Sequence, residues 1–215
     1  MTGMRRTFTV PGLLNAPHAR RPNRPIAAAR DTIVPMIEIV DLDTRDSAVI
    51  EQLASLTFEA FKENMPDWVP TIDLARDKVL EASGNQKHAR VLKLHDEVVG
   101  WFGLTKRQYL WEIHPIAVAI EHQYQGFGHM LVEDAARIAK DAGALTLFAG
   151  TSDEVGTTNL FGADIYPNPA NSIRNLKATR RSPFKFWEHA GFTVVGLMPD
   201  EEGVGKPGIH LARRL

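Results

Sequence analysis

The segment Gln123 to Gly128 has the composition of a phosphate-binding turn. It consists of Gln-Tyr-Gln-Gly-Phe-Gly and stands between a predicted strand and a predicted amphipathic helix. Glycines at a helix start let backbone N–H groups approach a phosphate closely, and the helix dipole favours negative charge there. Two glycines could also form a plain tight turn. The sequence disfavours a Rossmann loop, because the earlier glycine and a second βαβ half are missing. A Walker loop is excluded because no Gly-Lys-Ser/Thr follows.

Two residues that can carry a proton, Glu112 and His114, lie on one predicted strand, Trp111 to Ile120. Side chains two positions apart on a strand point to the same face, so both would face one pocket. A carboxylate or an imidazole so placed can take a proton from a reacting group. The alternatives are an exposed or capping glutamate and a histidine that packs in front of Pro115.

The absence of cysteine limits the chemistry of the chain. None of the 215 residues is a cysteine, which excludes disulfides, a thiolate nucleophile and Cys-ligated zinc. The eight histidines show no His-x-x-x-His spacing, so the sequence predicts no metal site. No apolar run approaches the roughly 18 residues that span a membrane.

Charge divides the chain near residue 35. Residues 1–35 hold six arginines, one aspartate and five prolines, without the apolar core of a secretory signal. A basic arm, a transit-like leader or a translation start upstream of Met36 would each fit, but we favour a flexible extension. Residues 36–215 hold 19 Lys and Arg against 25 Asp and Glu, a mild indication of a cationic ligand and an argument against nucleic acid. We predict one folded domain over residues 36–215, in the cytoplasm.

Hydrophobic periodicity predicts a mixed α/β domain. Alternation over 36–40 predicts a strand, and the apolar spacing over 49–61 predicts a helix. A second helix, a hairpin over 89–104, the strand with Glu112 and His114, a long helix and a buried strand follow. The segment 151–177 is predicted to be a long functional loop, before a helix beginning at Pro183 and two final strands. The predicted order is β-α-α-β-β-β-α-β-α-β-β.

Several motifs in register resemble those of the GNAT acetyltransferases. The spacing of Gln123 to Gly128 is similar to their pyrophosphate loop, and the element order from Met36 onward is similar to their fold. Further segments resemble the aminoglycoside 6'-N-acetyltransferases: Trp111–Pro115, Gly150–Glu154, Thr157–Leu160, Asp164–Tyr166, Ile173–Leu176, Ser182–Trp187 and Gly205–Ile209. The resemblance is dense from Trp111 onward and loose before it.

The resemblance implies an α/β (α+β) fold, in which helices flank a central mixed, mostly antiparallel sheet. It also implies acetyl-CoA as co-substrate, with no metal. The backbone of Ile116, Ala117 and Val118 would contact the pantetheine arm. The pyrophosphate would be held by the turn and the start of the next helix, namely Gln123, Tyr124, Gln125, Gly126, Phe127, Gly128 and His129.

The implied acceptor is a primary amine of a polycationic small molecule, the 6'-amine of an aminoglycoside first, and the family also suggests a homodimer. Glu112 would be the first candidate for the base, because an ammonium must lose a proton before it can attack, with His114 beside it and Asp153 as an alternative. The implied substrate-binding residues are Asp67, Trp68, Glu112, Asp153, Glu154 and Asp164.

Position 187 departs from the family. A tyrosine is usual there, and its hydroxyl can protonate the departing CoA thiolate, which the indole of Trp187 cannot do. Either Tyr166 substitutes, or the thiolate leaves unassisted, because a thiol with a pKa of about 8.5 is a good leaving group. Two further functions therefore stay open. The acceptor could be another amine (a polyamine, a peptide amine or a metabolite), or the chain could be a non-catalytic acetyl-CoA-binding domain.

Overall fold

A computed structural model of the protein describes residues 7–8 and 36–215, which contain an eight-stranded sheet. In chain order the strands are β1 (Thr7–Phe8), β2 (Ile37–Asp41), β3 (Lys87–Leu94), β4 (Glu97–Thr105), β5 (Leu110–Val118), β6 (Thr146–Ser152), β7 (Thr193–Met198) and β8 (Gly208–Arg214). Their order across the sheet is β1-β2-β3-β4-β5-β6-β8-β7. Neighbouring strands are antiparallel except β5 and β6, which are parallel.

Five α-helices and one 3-10 helix surround this sheet. They are α1 (Ser47–Phe61), α2 (Ile72–Glu81), the 3-10 helix Ile120–His122, α3 (Phe127–Asp141), α4 (Pro169–Arg174) and α5 (Pro183–His189). Side-chain caps fix three of the helix starts, because a capping oxygen satisfies a backbone N–H that has no partner within the helix. The caps are Asp46 for α1, Thr71 for α2 and Asn168 for α4.

Apolar residues form two clusters on opposite faces of the sheet. Adjacent residues of a strand point to opposite faces, and on β4 Trp101 packs with α1 and α2 while Phe102 packs with α3 and α5. Both side chains are fully buried. The indole N–H of Trp101 donates to Thr57 Oγ1 at 2.9 Å, so that this buried polar group is satisfied. The sheet is thereby covered by helices on both sides.

The only parallel pair of the described sheet separates after a short contact. Its ladder joins Leu110–Glu112 to Thr146–Phe148, three residues of each strand. Beyond Glu112, β5 remains paired with β4 but turns away from β6 through an irregularity. Residues Phe102 and Leu104 of β4 face Ile116 and Ile113 of β5, so one extra residue of β5 is accommodated there. The result is a cleft between β5 and β6 in the middle of the sheet.

The predicted mixed, mostly antiparallel sheet with flanking helices is confirmed, and so is the order of the long elements. The loop predicted over 151–177 contains the short helix α4, which has Asn168 as its cap and Pro169 at its first position. The two residues of β1 pair with β2 and belong to the segment predicted as a flexible extension. Apart from them that segment lies outside the described residues, so the division at residue 35 stays a prediction. None of the described helices has the length and apolarity to cross a bilayer.

Candidate active site

A cavity of about 500 Å³ occupies the cleft between β5 and β6. Its walls are the unpaired part of β5, the end of β6, the turn before α3, the start of α5 and the end of α1 with the loop that follows. The lining residues are Ile113–Val118, Gly150, Thr151, Gln123, Tyr124, Gly126, Gly128, His129, Arg180–Pro183, Lys185–Trp187, His189, Ala60, Phe61, Asn64, Met65 and Trp68.

The structure brings eight of the ten predicted cofactor-binding residues to this cavity. They are Ile116, Ala117, Val118, Gln123, Tyr124, Gly126, Gly128 and His129. The other two do not line it. The side chain of Gln125 donates to the Glu121 carbonyl oxygen at 2.9 Å, and the ring of Phe127 is buried in the core beside α3.

The turn before α3 requires glycine at two positions. Gly126 has φ +91°, in the left-handed region that side chains disfavour, and it forms the cap of α3. A Cβ on Gly128 would lie 2.9 Å from the ring of Phe186 on α5. Gly126 and Gly128 themselves place no side chain over the first N–H groups of α3, and the positive end of the helix dipole favours an anion there.

Cationic side chains line the cavity next to this turn. Arg181 donates to Gln123 Oε1 at 2.7 Å, and its guanidinium lies 4.4 Å from the centre of the Tyr124 ring. Arg180 and Lys185 also line the cavity, whereas no Asp or Glu among the described residues does. A positive wall beside a helix N-terminus suits a ligand with several phosphate groups.

His114 lies at the opposite end, among aromatic rings. The ring centroid of Trp68 is 5.2 Å from that of His114 and 4.8 Å from that of Phe61, both in edge-to-face geometry. The imidazole is exposed by its accessible surface, because it faces the open cavity. Protein atoms nevertheless surround it, and this burial lowers the pKa of His114, against the opposing charge of Glu112. The ring is therefore neutral near neutral pH and can accept a proton.

Glu112 lies outside the cavity lining, although it is next to the cleft. It is the last residue of β5 that pairs with β6, where it faces Phe148, and its half-buried side chain has no place among the lining residues. Alternation along β5 predicted that Glu112 and His114 face one pocket. It carries no information on where β5 separates from β6, and the two strands separate between these two residues. Of the two residues only His114 lines the cavity, and the charge of Glu112 raises the pKa of His114 against the effect of burial.

Asp153 does not fit the catalytic and substrate-binding roles predicted for it. It is 1% exposed and does not line the cavity. Its Oδ1 accepts from the N–H of Thr157 at 2.7 Å and from its hydroxyl at 3.2 Å, and its Oδ2 accepts from the N–H of Thr158 at 2.8 Å and from its hydroxyl at 2.7 Å. A carboxylate held by four donors is well placed to fix a loop and poorly placed to move a proton.

The remaining predicted substrate acids lie behind or away from the cavity. The backbone N–H of Asp67 donates to Glu154 Oε2 at 2.8 Å, and the Asp67 carboxylate is bound by Lys206. Burial raises the pKa of Glu154. These contacts fasten the loop that carries Trp68, the one member of this predicted set that lines the cavity. Asp164 and Tyr166 are exposed, and Asp164 accepts from the N–H of Tyr166.

The model of the acetyltransferase (GNAT) family matches residues 25–161 of this sequence. The chain belongs to the GNAT acetyltransferase family. The resemblance noted from the motifs, and the fold that it implied, are thereby confirmed. No curated protein sequence matches this acetyltransferase at a significant level.

Solved structures similar to this acetyltransferase include two aminoglycoside 6'-N-acetyltransferases. One is in complex with coenzyme A, with 25% identity and a TM-score of 0.74. The other, from Enterococcus faecium, has 25% identity and a TM-score of 0.71. In each comparison 82% of this chain and 96% of the other are covered. A GNAT family acetyltransferase from Elizabethkingia anophelis with acetyl-CoA bound shares the fold, with 17% identity over 83% and 98% of the two chains and a TM-score of 0.52.

We expect the variant Asp153→Ala of this acetyltransferase to lose about 3 kcal/mol of its free energy of unfolding. The substitution leaves two buried N–H groups and two hydroxyls without their charged acceptor, and bonds to charged groups are the stronger ones. Denaturant unfolding measures the loss. Asp164→Ala is the matched control, because an exposed aspartate changes stability by about 0.5 kcal/mol or less. If Asp153→Ala were as stable as the wild type but catalysed no acetyl transfer, Asp153 would again be a candidate catalytic residue.

One group of potential metal ligands occurs among the described residues, and it lies outside the cavity lining. Atoms of Glu97, Glu121 and His122 lie within 4.8 Å of one another, and both glutamates are exposed. His122 Nε2 is 3.6 Å from Glu97 Oε1. Exposed acidic groups are common without an ion, so the acetyltransferase is still predicted to use no metal.

Sequence reasoning missed the cationic wall and the apolar end of the cavity. Arg180 and Arg181 lie in the segment before α5, whose path back to the turn before α3 cannot be inferred from spacing. The one available signal was the pair of arginines directly before Ser182 and Pro183, at the start of a helix. Nothing in the sequence indicates that Met65, or Phe61 at the end of the helix predicted over 49–61, faces a ligand.

Proposed function

We propose that the protein transfers the acetyl group of acetyl-CoA to a primary amine of a polycationic small molecule, with the 6'-amine of an aminoglycoside as first candidate. The observation that carries the proposal is that one cavity in the β5–β6 cleft is lined both by the glycine turn before α3 and by the imidazole of His114, whose pKa is lowered by burial. Two similar structures of known acceptor class, both aminoglycoside 6'-N-acetyltransferases, support the acceptor.

In this proposal the phosphates of acetyl-CoA bind at the cationic end. The diphosphate accepts hydrogen bonds from the N–H groups at the start of α3, next to Gly126 and Gly128. Arg181 adds a charged contact from the other wall. The pantetheine arm then runs along Ile116–Val118, whose side facing the cleft has no β6 partner, because the ladder ends at Glu112. This course leads the thioester toward His114.

The acceptor binds at the aromatic end and attacks the thioester. A flat indole such as Trp68 can pack against the C–H face of a sugar ring, and the edge-to-face contacts to Phe61 and His114 fix its orientation. The amine nitrogen bonds to the carbonyl carbon, His114 takes its proton, and the C–S bond breaks with its electron pair going to sulfur. The products are the N-acetylated amine and coenzyme A.

We expect Arg181→Ala to raise the KM for acetyl-CoA about tenfold with little change in kcat. The guanidinium meets the cofactor far from the reacting atoms, so its contact is equally strong in the ground and transition states. Steady-state kinetics at fixed, saturating amine measure both constants, and raising the salt concentration should reduce the difference between the proteins. Arg137→Ala is the control, because Arg137 lies on α3 outside the cavity lining. An unchanged KM in Arg181→Ala would remove this residue from the cofactor site.

The test of the proposal is release of free thiol from acetyl-CoA in the presence of different amines. A kanamycin-type aminoglycoside, a polyamine and a peptide with a free amine are compared at equal concentration, with a reaction lacking amine as the blank. Because the chain has no cysteine, thiol detection has no background from the protein. We expect the aminoglycoside to give the highest kcat/KM. If thiol were released only with the polyamine or only with the peptide, that amine would replace the aminoglycoside as the proposed acceptor.

A second acceptor class is favoured by the composition of the aromatic end. Ala60, Phe61, Met65 and Trp68 are apolar, and no carboxylate among the described residues lines the cavity beside them. An amine attached to an apolar or aromatic group would fit these walls with less desolvation of charge than a polycation. Adding an amine attached to an aromatic group to the same thiol-release comparison distinguishes this acceptor class from the aminoglycosides. Binding of coenzyme A by calorimetry without thiol release on any amine would favour the non-catalytic alternative.

Two expectations about the whole protein stay predictions. Pairing into a homodimer is suggested by the family resemblance, and sedimentation of the purified chain across a range of concentrations tests it. A cytoplasmic location is the second. Neither is needed for the chemistry proposed here, because base, turn and cationic wall all belong to one chain.

A further inference from the structure

The hydroxyl of Thr151 is a buried polar group at the cavity wall without a hydrogen-bond partner. Thr151 is 7% exposed and lines the cavity, and its Oγ1 contacts no donor or acceptor among the described residues. A buried hydroxyl without a hydrogen-bond partner destabilises a protein. Oγ1 itself has almost no accessible surface, so a hydrogen bond to a ligand in the cavity requires rotation about the Cα–Cβ bond, which exchanges the positions of the hydroxyl and the methyl group. These observations point to a partner that is a ligand.

The side chain of Thr151 projects to the face of the sheet that carries α5. Residues 147, 149 and 151 of β6 share one face because side chains alternate along a strand. Leu147 and Ala149 belong to the apolar cluster of α3 and α5, together with Trp187. Ile209, which faces Thr151 across the β6–β8 ladder, belongs to the same cluster. Thr151 and Trp187 therefore meet the cavity from the same side, whereas His114 meets it beside Trp68 on the α1 side.

The position of Thr151 along the cleft is level with the reacting end of the cavity. The parallel ladder ends with Glu112 opposite Phe148. Three residues further on each strand stand Pro115 and Thr151. Parallel strands advance at about 3.3 Å per residue, and one extra residue of β5 is accommodated between Ile113 and Ile116, so the count places Thr151 level with the segment His114–Ile116. A ligand sulfur held between the two strands at this level has the base on one side and the hydroxyl on the other.

We propose that the Thr151 hydroxyl donates a hydrogen bond to the coenzyme A sulfur as it becomes a thiolate. The inference rests on the proposed acetyl transfer and assigns a further catalytic residue to it. When the C–S bond breaks, its electron pair goes to sulfur, and the O–H of Thr151 stabilises that charge without giving up its proton, because an alcohol is a far weaker acid than a thiol. The thiolate leaves with a proton from water, and His114 returns the proton of the amine to solvent. Trp187, which lines the cavity from α5, has only an indole N–H and cannot act as an acid.

The test measures the acidity of the coenzyme A thiol when it is bound to the protein. Because the chain has no cysteine, that thiol is the only one in the complex, and the ultraviolet absorbance of the thiolate reports its ionisation without interference from another sulfur. Wild type, Thr151→Val and Thr151→Ser are titrated with coenzyme A at saturation. We expect the acid dissociation constant of the bound thiol to be about tenfold larger in wild type and Thr151→Ser than in Thr151→Val, since hydrogen bonds to charged groups have this strength.

The kinetic consequence is a fall of about tenfold in kcat for Thr151→Val, with the KM for acetyl-CoA unchanged. Valine has nearly the shape of threonine and removes an unpartnered hydroxyl, so we expect the variant to fold, which thermal unfolding checks. Equal thiol acidity in wild type and Thr151→Val would overturn the proposal. So would weaker binding of coenzyme A with unchanged acidity, because the hydroxyl would then hold the pantetheine arm. The titration needs no acceptor amine, so a failed acceptor panel leaves its outcome unaffected.

Discussion

Replacing His114 with alanine is expected to lower kcat at least a hundredfold while the affinity for coenzyme A stays within a factor of about two. General base catalysis by a positioned side chain contributes about 10² to 10⁴ in rate. His114 lines the cavity, and burial lowers its pKa so that the ring is unprotonated near neutral pH. The cofactor contacts lie elsewhere, at Ile116–Val118 and the turn before α3. Steady-state kinetics and calorimetry with coenzyme A measure the two quantities separately.

The pH profile of the wild-type protein gives an independent check on this assignment. A base works in its unprotonated form, so kcat/KM should fall as pH decreases through the pKa of His114. Because burial lowers that pKa, the fall is expected below the ordinary histidine value of about 6.5. Glu112 opposes the effect of burial through its charge, so Glu112→Gln should move the fall to still lower pH, with a smaller loss of kcat than His114→Ala. If His114→Ala kept the wild-type kcat and Glu112→Ala lost it, Glu112 would be the base instead of His114.

The variant Gly103→Ala is expected to lose about 2 kcal/mol of its free energy of unfolding and at least tenfold in kcat. Gly103 lies on β4 beside the irregular part of β5. A Cβ there would be 2.6 Å from the carbonyl oxygen of His114 and 3.1 Å from the Cβ of Ala82. The closer of these atoms belongs to the backbone, so β5 must move, and an inserted methyl group in a packed core typically destabilises by about 1–3 kcal/mol. A displacement of about 1 Å at a base is enough to reduce turnover strongly.

A matched control for this prediction is Gly196→Ala. Gly196 also lies on a strand of the sheet, on β7, where a Cβ would meet His210 Cβ at 3.7 Å, an ordinary contact. We expect its stability to change by about 0.5 kcal/mol or less and its kcat to stay at the wild-type value. Denaturant unfolding and thiol release are measured on both variants. If Gly103→Ala matched Gly196→Ala in both assays, the close approach of β4 to His114 would have no effect on the site.

The long elements could be predicted from the sequence because their signals are local. The apolar repeat of α1, its cap Asp46, and the alternation of β2 each depend on neighbours a few residues away. The helix α4 is only six residues long, too short for a repeat to stand out from the polar segment around it. The two residues of β1 carry no periodicity at all.

The position of a site residue could be predicted only where a local sequence motif reflects a contact made in the folded structure. The turn before α3 could be predicted because the left-handed φ of Gly126 favours glycine and a Cβ on Gly128 would meet the ring of Phe186, whereas phosphate binding by this turn stays a prediction. Glu112 and His114 could both be predicted as candidates, but alternation along β5 cannot show where β6 turns away, and only His114 lines the cavity beyond that point. The catalytic role predicted for Asp153 rested on its position, because a carboxylate directly after a strand is a common place for a catalytic residue. Its partners Thr157 and Thr158, four and five residues later, were the available sign that it fixes a loop.

The short ladder between β5 and β6 divides the sheet into two hydrogen-bonded blocks, β1–β5 and β6–β8. One block carries His114 and the other carries Thr151. The distance between these two groups is consequently governed by three ladder residues per strand and by the helices packed across the junction, rather than by a continuous network of backbone bonds. A substitution in that narrow junction shifts both groups relative to each other, even though it touches neither, whereas one at the outer strands shifts them as a unit within their own block.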